Sequence, residues 1–588
     1  LLGLGVPVAH ALVYICAGIV LIYGVLGGLR AAYWTDVIQG LFIILLSVLL
    51  IPMGLRALAD DEARSRNVDP QTISTAEGFR IMHERVPDEY FQIVESPRGG
   101  EFPLYYIVAI TVLNLVCIVV HPHMAVTGGG SAKTENSARV GLVTGNFLKR
   151  FCTIGWSITV LIVLAYMAGN LEIAEDPDTT WGVAAREILG PYGFGLVGLM
   201  LACLMAALMS SASAYMLVVS GLVVRNFWAP FVDPNASEKT YVLLGRVFSV
   251  LVITGGVVVA VAEMDVFGQL RTAWELPIYL AALFWVGMFW RRATKWAAWG
   301  TLAFTVSTFF LLPMLLPWLM SDLANNPKYA VTNDIVTTVV TREVAHADVK
   351  RREAEIELWN QRAEQWAQEQ GNEALMPEVR PQAIEALGPC PEPLKLGETT
   401  EDRIVTGGQA IFWTDGVEPI GEKKLRDVPH AASGDSAHDL RVIRQQYDCP
   451  LRGKGHFRVS FLLYDVLRLD LTKMPKAALE TLRLPTRVVL PFVVMILLSL
   501  ITPRDKKEPL DRFYVKMKTP VDPDPEADKR ALDESYADPS RFDDKRLVKA
   551  FGLEFQRFSV EDIVGFVVCF LICFALIWLT MILANVGV

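Results

Sequence analysis

The sequence predicts an all-α polytopic membrane protein that carries a soluble insertion, and three observations predict it. Hydrophobic residues make up 52% of 588 positions while 20% are charged, and the two kinds are segregated into alternating apolar and charged stretches. Apolar runs near the length of a spanning helix lie at 5–29, 34–54, 103–124, 148–169, 192–222, 241–262, 268–290, 296–320, 484–502 and 560–585. Within them, residues 206–228 read AALMSSASAYMLVVSGLVVRNFW, placing Ser210, Ser211 and Ser213 together where no water can satisfy a hydroxyl. The formal charge of −9, with both signs mixed and no basic patch, excludes a nucleic-acid partner and leaves the lipid bilayer as the partner surface.

The elements follow in order. The first two runs are joined by Gly27-Gly28-Leu29-Arg30, a tight turn. The chain opens LLGLGVPVAH with no charged n-region, so it does not read as a signal peptide; the expectation is a chain that begins inside or just before a membrane helix. Basic residues set the orientation: Arg30, Lys133, Arg139, Lys149, Arg150, Arg225, Lys239, Arg291, Arg292, Lys295, Arg504, Lys506 and Lys507 all fall on one side if every run spans once. That side is assigned to the cytoplasm. The opposite side holds the acidic connections 55–102, with Asp60-Asp61-Glu62, and 170–190. Residues 321–483 then form an extracytoplasmic soluble insertion, 484–502 an additional span, 503–558 a charged cytoplasmic linker with Pro520, Pro523 and Pro525, and 559–588 a C-terminal span. In the insertion, 342–370 reads as a charged helix and 430–457 as loop. Cys16, Cys117, Cys152, Cys203, Cys569 and Cys573 lie in apolar runs as small packing residues. Cys390 and Cys449 are the soluble pair, and on an oxidising side they are expected to form a disulfide.

Four motifs in a fixed order carry a resemblance: GGLRAAYWTDVIQ at 27–39, HPH at 121–123 closing a membrane helix, AALMSSASAYM at 206–216, and LFWVGMFWRRATKWAAWG at 283–300. In that order, over roughly residues 5–320, the chain resembles the sodium:solute symporter family. The resemblance implies a LeuT-type five-plus-five inverted-repeat transporter bundle. It makes residues 1–320 the transporter membrane core, about eight spans starting at the fourth core helix, without the N-terminal core helices.

The resemblance also assigns residues. Ser210 and Ser211 match the family's sodium-ligating hydroxyl pair, and Ala207, one turn earlier, matches a position that offers a backbone carbonyl. Residues 207, 210, 211 and 214 cluster on one helix surface. The same small residues also suit close helix packing, with serines bonding back to the previous turn. Asp36 matches the acid of the Trp-Thr-Asp element, which in some members joins serines in a second sodium site. Ser210 and Ser213 are available for it, while Ala214 stands where those members carry a hydroxyl. Asp36 also fits a plainer role, a carboxylate in the first turn of a helix near the belt aromatic Trp34. Asn114 stands where sugar-carrying members place a substrate asparagine, with Cys117 in place of their gating tyrosine; an interhelical hydrogen bond is its other reading. Glu275 lies near the substrate contacts of the tenth core helix and also stands four residues from Arg271, ion-pair spacing on a helix.

Two motifs fail as sites. His121 and His123 are i and i+2, which point apart on a helix. Gly128-Gly129-Gly130-Ser131-Ala132-Lys133-Thr134 has Ala132 where a phosphate loop requires glycine.

The sequence is therefore expected to encode a transporter and not an enzyme, coupling Na+ to a small polar solute at the cell (inner) membrane. The alternative is a transporter-like membrane sensor or receptor that works through 321–483. The orientation is tested by cysteine labelling. Single cysteines in 321–483 are expected to react with an impermeant reagent on intact cells, and those in 505–555 only after permeabilisation. The reverse pattern would overturn the assigned sidedness.

Overall fold

The structure, a computed structural model, describes residues 8–86, 88–91, 103–124, 132–167, 179–262, 276–344, 346–369, 387–428 and 440–587, together with isolated residues between them. Helix α1 (Val8–Ser65) contains the first two apolar runs, broken at a single residue, Gly28, with φ 61° and ψ −155°. A side chain is strained at that φ, so glycine is what allows so abrupt a break. Then come α2 (Glu77–Arg85), α3 (Leu104–Cys117), α4 (Glu135–Tyr166), α5 (Leu196–Leu222), α6 (Glu238–Ala262), α7 (Ile278–Phe289) and α8 (Lys295–Val306). A wider turn continues α8 to Leu319. Two further apolar helices, α10 (Lys476–Ile501) and α13 (Val560–Ala584), follow the insertion. Among the described residues, seven helices are long and apolar enough to cross a membrane; Leu104–Val120 and Ile278–Phe289 are shorter apolar helices.

These helices pack as two groups. In one, α1 meets α4, α5 and α6. Leu46, Leu50, Val163, Met200 and Cys203 fill one seam, and Val20, Met216 and Ile253 another. Gly155 of α4 faces the Ser47 carbonyl so closely that any side chain there would collide with it. This is the close backbone approach that small residues permit between membrane helices. In the second group, α3, α7 and α8 pack on α10 through Leu113, Cys117, Ile278 and Ala281, and through Ala282, Ala297 and Met495. The turn between α7 and α8 caps α10: Arg292 donates to the carbonyls of Leu500 (2.9 Å) and Thr502 (3.1 Å). A cation on terminal carbonyls complements the helix dipole.

Several sequence expectations are corrected here. The acidic triplet Asp60-Asp61-Glu62 lies in the last turns of α1, which runs on past 54 to Ser65. The span expected at 484–502 starts at Lys476 and passes through Pro485 and Pro491, with the Tyr464 hydroxyl donating to the Leu482 carbonyl beside the first proline (2.7 Å). The all-α expectation fails in 321–483. Strands β1 (Ile335–Glu343), β2 (Thr399–Thr406), β4 (Leu425–Asp427) and β5 (Leu440–Tyr447) form an antiparallel sheet in the order β2-β1-β5-β4, with Val336 opposite Thr406 and Ile335 opposite Gln445. A second ribbon pairs β3 (Val417–Pro419) with β6 (Leu451–Gly453). So β5 and β6 occupy what reads as loop, and the charged helix α9 (His346–Glu369) starts only after β1 ends. The β-branched run I-V-T-T-V-V-T at 335–341 is the physical cause, since such side chains favour a pleated surface over a helix. Aromatic packing of Trp413, Phe412, Phe457 and Phe461 forms the core beneath.

Cys390 and Cys449 are both free thiols, not a disulfide. Cys390 packs beside Trp359 and Trp366 of α9, whereas Cys449 lies between β5 and β6, so different elements hold them.

Residues 503–558 are no open linker. Helix α11 (Lys507–Lys518) folds back onto the α7–α8 turn, and α12 (Pro525–Ala537) packs on α11. Glu554, 1% exposed, is the centre: Arg291, Lys518 and Arg546 all pair with its carboxylate, and Arg291 also pairs with Asp511. The Tyr514 hydroxyl donates to the Gly287 carbonyl at 2.7 Å. Burial alone would raise the Glu554 carboxyl, but hydrogen bonds and charge from Lys518 and Arg291 outweigh it and hold the group below its usual range. A depressed carboxylate stabilises at every pH above its unfolded value and loses that contribution as pH falls through its folded one. The docked segment is therefore expected to keep its amide protection from neutral pH down to about pH 4 and to lose it below. At neutral pH, Glu554→Gln, which strands buried cations, is expected to destabilise the docking by about 3 kcal/mol. Hydrogen exchange over 507–537 reads both; unchanged protection in the variant would refute the role given to Glu554.

Candidate functional site

The site is built where α1 crosses α5. In hydrocarbon a serine hydroxyl most easily donates to a carbonyl of its own helix. Ser210 donates to the Ala207 carbonyl (3.0 Å), and Ser213 to the Ser210 carbonyl (3.0 Å). Their protons thus face the helix, and the oxygen lone pairs remain for another partner. Ser213 is fully buried, and the Asp36 carboxylate of α1 lies within hydrogen-bonding reach of it. One hydroxyl proton cannot serve both the Ser210 carbonyl and Asp36, so two oxygens face each other with a single proton between two acceptors. The Asp36 Oδ1 atom is buried with no hydrogen-bond partner. The first half of α1 closes the same crossing: the Tyr23 hydroxyl donates to the Met209 carbonyl at 3.2 Å.

Gln39, one turn beyond Asp36, escaped sequence reasoning. It is 7% exposed, and its Oε1 is buried without a partner. The signal available was its i, i+3 spacing from Asp36 in an apolar run, which sets both side chains near one helix face. Oxygen acceptors of this kind, from carboxylate, hydroxyl and carbonyl, make the donor set that suits a hard cation.

The other expected residues separate from this cluster. Ser211 is on the exposed face of α5, away from Asp36. Asn114 is exposed on α3 and donates to the Ile110 carbonyl of its own helix (3.1 Å). That helix belongs to the second packing group. The HPH motif ends α3, and His123 lies against Tyr215 of α5 with ring centroids 4.8 Å apart. Glu275, with Arg271, lies outside the described residues.

 Two ion clusters stand at the ends of the membrane helices. At the end of α1, Arg85 of α2, 3% exposed, binds Asp61 (2.6 Å) and Glu62 (2.7 Å). Lys350 of α9 joins Asp61 at 2.7 Å, so the insertion is tied directly to the helix that carries Asp36. At the other end stands the Glu554 cluster, beside which Arg139 of α4 meets Asp562 of α13 at 3.0 Å.

With this geometry in place, similarity to known proteins can be weighed. The model of the sodium:solute symporter family matches residues 2–303. The high-affinity proline transporter PutP of Bacillus subtilis (strain 168) is 25% identical over 300 residues, covering 49% of this chain and 56% of that protein. The human sodium/glucose cotransporter 4 is 27% identical over 329 residues, covering 52% of this chain and 47% of its own length. The sodium/glucose cotransporter of Vibrio parahaemolyticus is 22% identical over 344 residues, covering 54% and 60%. The chain spans about half the length of the curated relatives it matches.

Proposed function

Because this chain belongs to the sodium:solute symporter family, we propose that it serves sodium-coupled symport of a small polar solute across the cell (inner) membrane. The observation that carries the reading is the meeting of Asp36 with Ser213 across two membrane helices, with the Asp36 Oδ1 atom left without a donor. A carboxylate in that setting needs a counter-charge, and Na+ with hydroxyl and carbonyl ligands supplies one. Ser210, Ser213 and Asp36 are the proposed ligands at the crossing, with Ala207 and Ser211 completing the family's first site on the neighbouring surface of α5. Sodium binding would draw α1 and α5 together, and that tighter crossing is what a solute site could sense.

The solute stays a class. Relatives are named for proline, glucose and myo-inositol. Asn114 and Glu275 remain the proposed solute contacts, an amide for a hydroxyl or carboxylate and an acid for a donor. The proposed sidedness draws support from the ion clusters. Lys350–Asp61 puts the insertion beside the end of α1, while Arg139–Asp562 and Arg291–Asp511 gather the basic connections at the other end. A sensor in which 321–483 controls α1 is the second reading, and the Lys350–Asp61 pair is the observation that favours it.

Uptake by the full-length protein in proteoliposomes tests the first reading. Asp36→Asn and Ser213→Ala are each expected to raise the sodium concentration for half-maximal uptake by about tenfold. The double variant Ser210→Ala with Ser211→Ala should raise it too. Unchanged sodium dependence in all three would refute the site, and absence of solute counterflow in the unmodified protein would favour the sensor.

A further inference from the structure

The break at Gly28 borders a feature that sodium coupling does not use. A cavity of about 380 Å³ lies between it and the neighbouring ends of α5 and α6. Gly24 to Gly28 form its wall on α1, Ser220, Gly221 and Arg225 its wall on the α5 side, and Glu238, Gly245, Arg246 and Ser249 its wall on α6. The Ser249 and Ser220 hydroxyl oxygens lie 3.2 Å apart, both buried, which sets α5 against α6 there. A β-carbon added at Gly28, Gly221 or Gly245 would meet no atom within 4 Å. The space is thus open on all three walls.

The charge is unbalanced. Arg225 and Arg246 face the cavity from two helices against the single acid Glu238. Among the described residues neither guanidinium has an ion-pair partner, and both are exposed. Guanidinium groups present planar forks that match phosphate oxygens two at a time. A basic pocket between membrane helices near their ends is also where an acidic lipid headgroup arrives.

We propose that this cavity binds a phosphate-bearing anion between Arg225 and Arg246, tying the Gly28 break to α5 and α6. The anion is either the headgroup of an acidic phospholipid or a free phosphate. Its binding is independent of sodium, so it stands or falls apart from the transport reading.

The test is the melting temperature of the detergent-purified chain, without sodium, titrated with phosphatidylglycerol, phosphatidylcholine or inorganic phosphate. Phosphatidylglycerol is expected to stabilise the unmodified chain and phosphatidylcholine not to. In the double variant Arg225→Gln with Arg246→Gln the half-saturating concentration is expected to rise roughly 25-fold, about fivefold per arginine. Gly245→Leu, which keeps both charges and fills the cavity, is expected to abolish the shift and covers the case in which the double variant does not fold. A shift with inorganic phosphate that the same variants remove would identify free phosphate as the anion; no such shift would identify the headgroup. Equal stabilisation by phosphatidylcholine, or a phosphatidylglycerol response unchanged in the variants, would overturn the proposal.

Discussion

Hydrocarbon offers no hydrogen bonds, and most of this architecture is a response to that constraint. It keeps the backbone helical and confines the break in α1 to one residue. It also turns hydroxyls back on their own helices: Ser47 to Ile43, Thr159 to Gly155, Ser249 to Gly245, Thr301 to Ala297 and Thr305 to Thr301. Against that pattern, Asp36 and Gln39 are exceptional. Neither finds a partner for one buried oxygen, and both lie on the same stretch of α1. Ser499 of α10 is a further exception, in the other packing group.

Charge is handled at the helix ends, by two different routes. Near Asp61 and Glu62 the acids are on a membrane helix and the cations come from α2 and α9. Near Glu554 the order is reversed: Arg291 is in the turn between membrane helices, and the acids come from the segment that docks on it. Each cluster therefore joins a soluble piece to the membrane bundle. Buried pairs of this kind add little net stability over apolar packing, but they are costly to break singly, which makes them good determinants of a unique docking geometry.

Legibility in the sequence followed the strength of the periodic signal. Among the described residues, long apolar runs announced the seven helices long and apolar enough to cross a membrane, because the length a bilayer demands leaves few alternatives. The sheet of 321–483 was hidden because β2 (TTEDRIVT) is mostly polar and β5 (LRVIRQQY) lacks strict alternation, and their partner β1 lies far away along the chain. The Glu554 cluster was hidden for the same reason, since Arg291 and Glu554 are distant in sequence and a lone acid in a charged segment reads as solvated. At the site, Ser213 and Asp36 were legible as residue types in a recognisable order. Gln39 offered only its spacing from Asp36, because burial of an amide is a property of packing. Ser211 and Asn114 were named by resemblance, and the described structure leaves both exposed.

Helix α13 shows how little of a membrane protein needs to be held by protein. Only 6% of its apolar window is buried, and α4 is the helix it packs on. Its contacts with protein gather at its ends: the Ser559–Asp562 capping box of the first turn meets Arg139, and Gly587, just past the last turn, lies against Phe79 and Arg80 of α2. Between those ends its apolar side chains are mostly exposed, the face a bilayer would cover. The tilt of such a helix follows the thickness of the bilayer by hydrophobic mismatch, so α13 would lean further in a thin membrane than in a thick one.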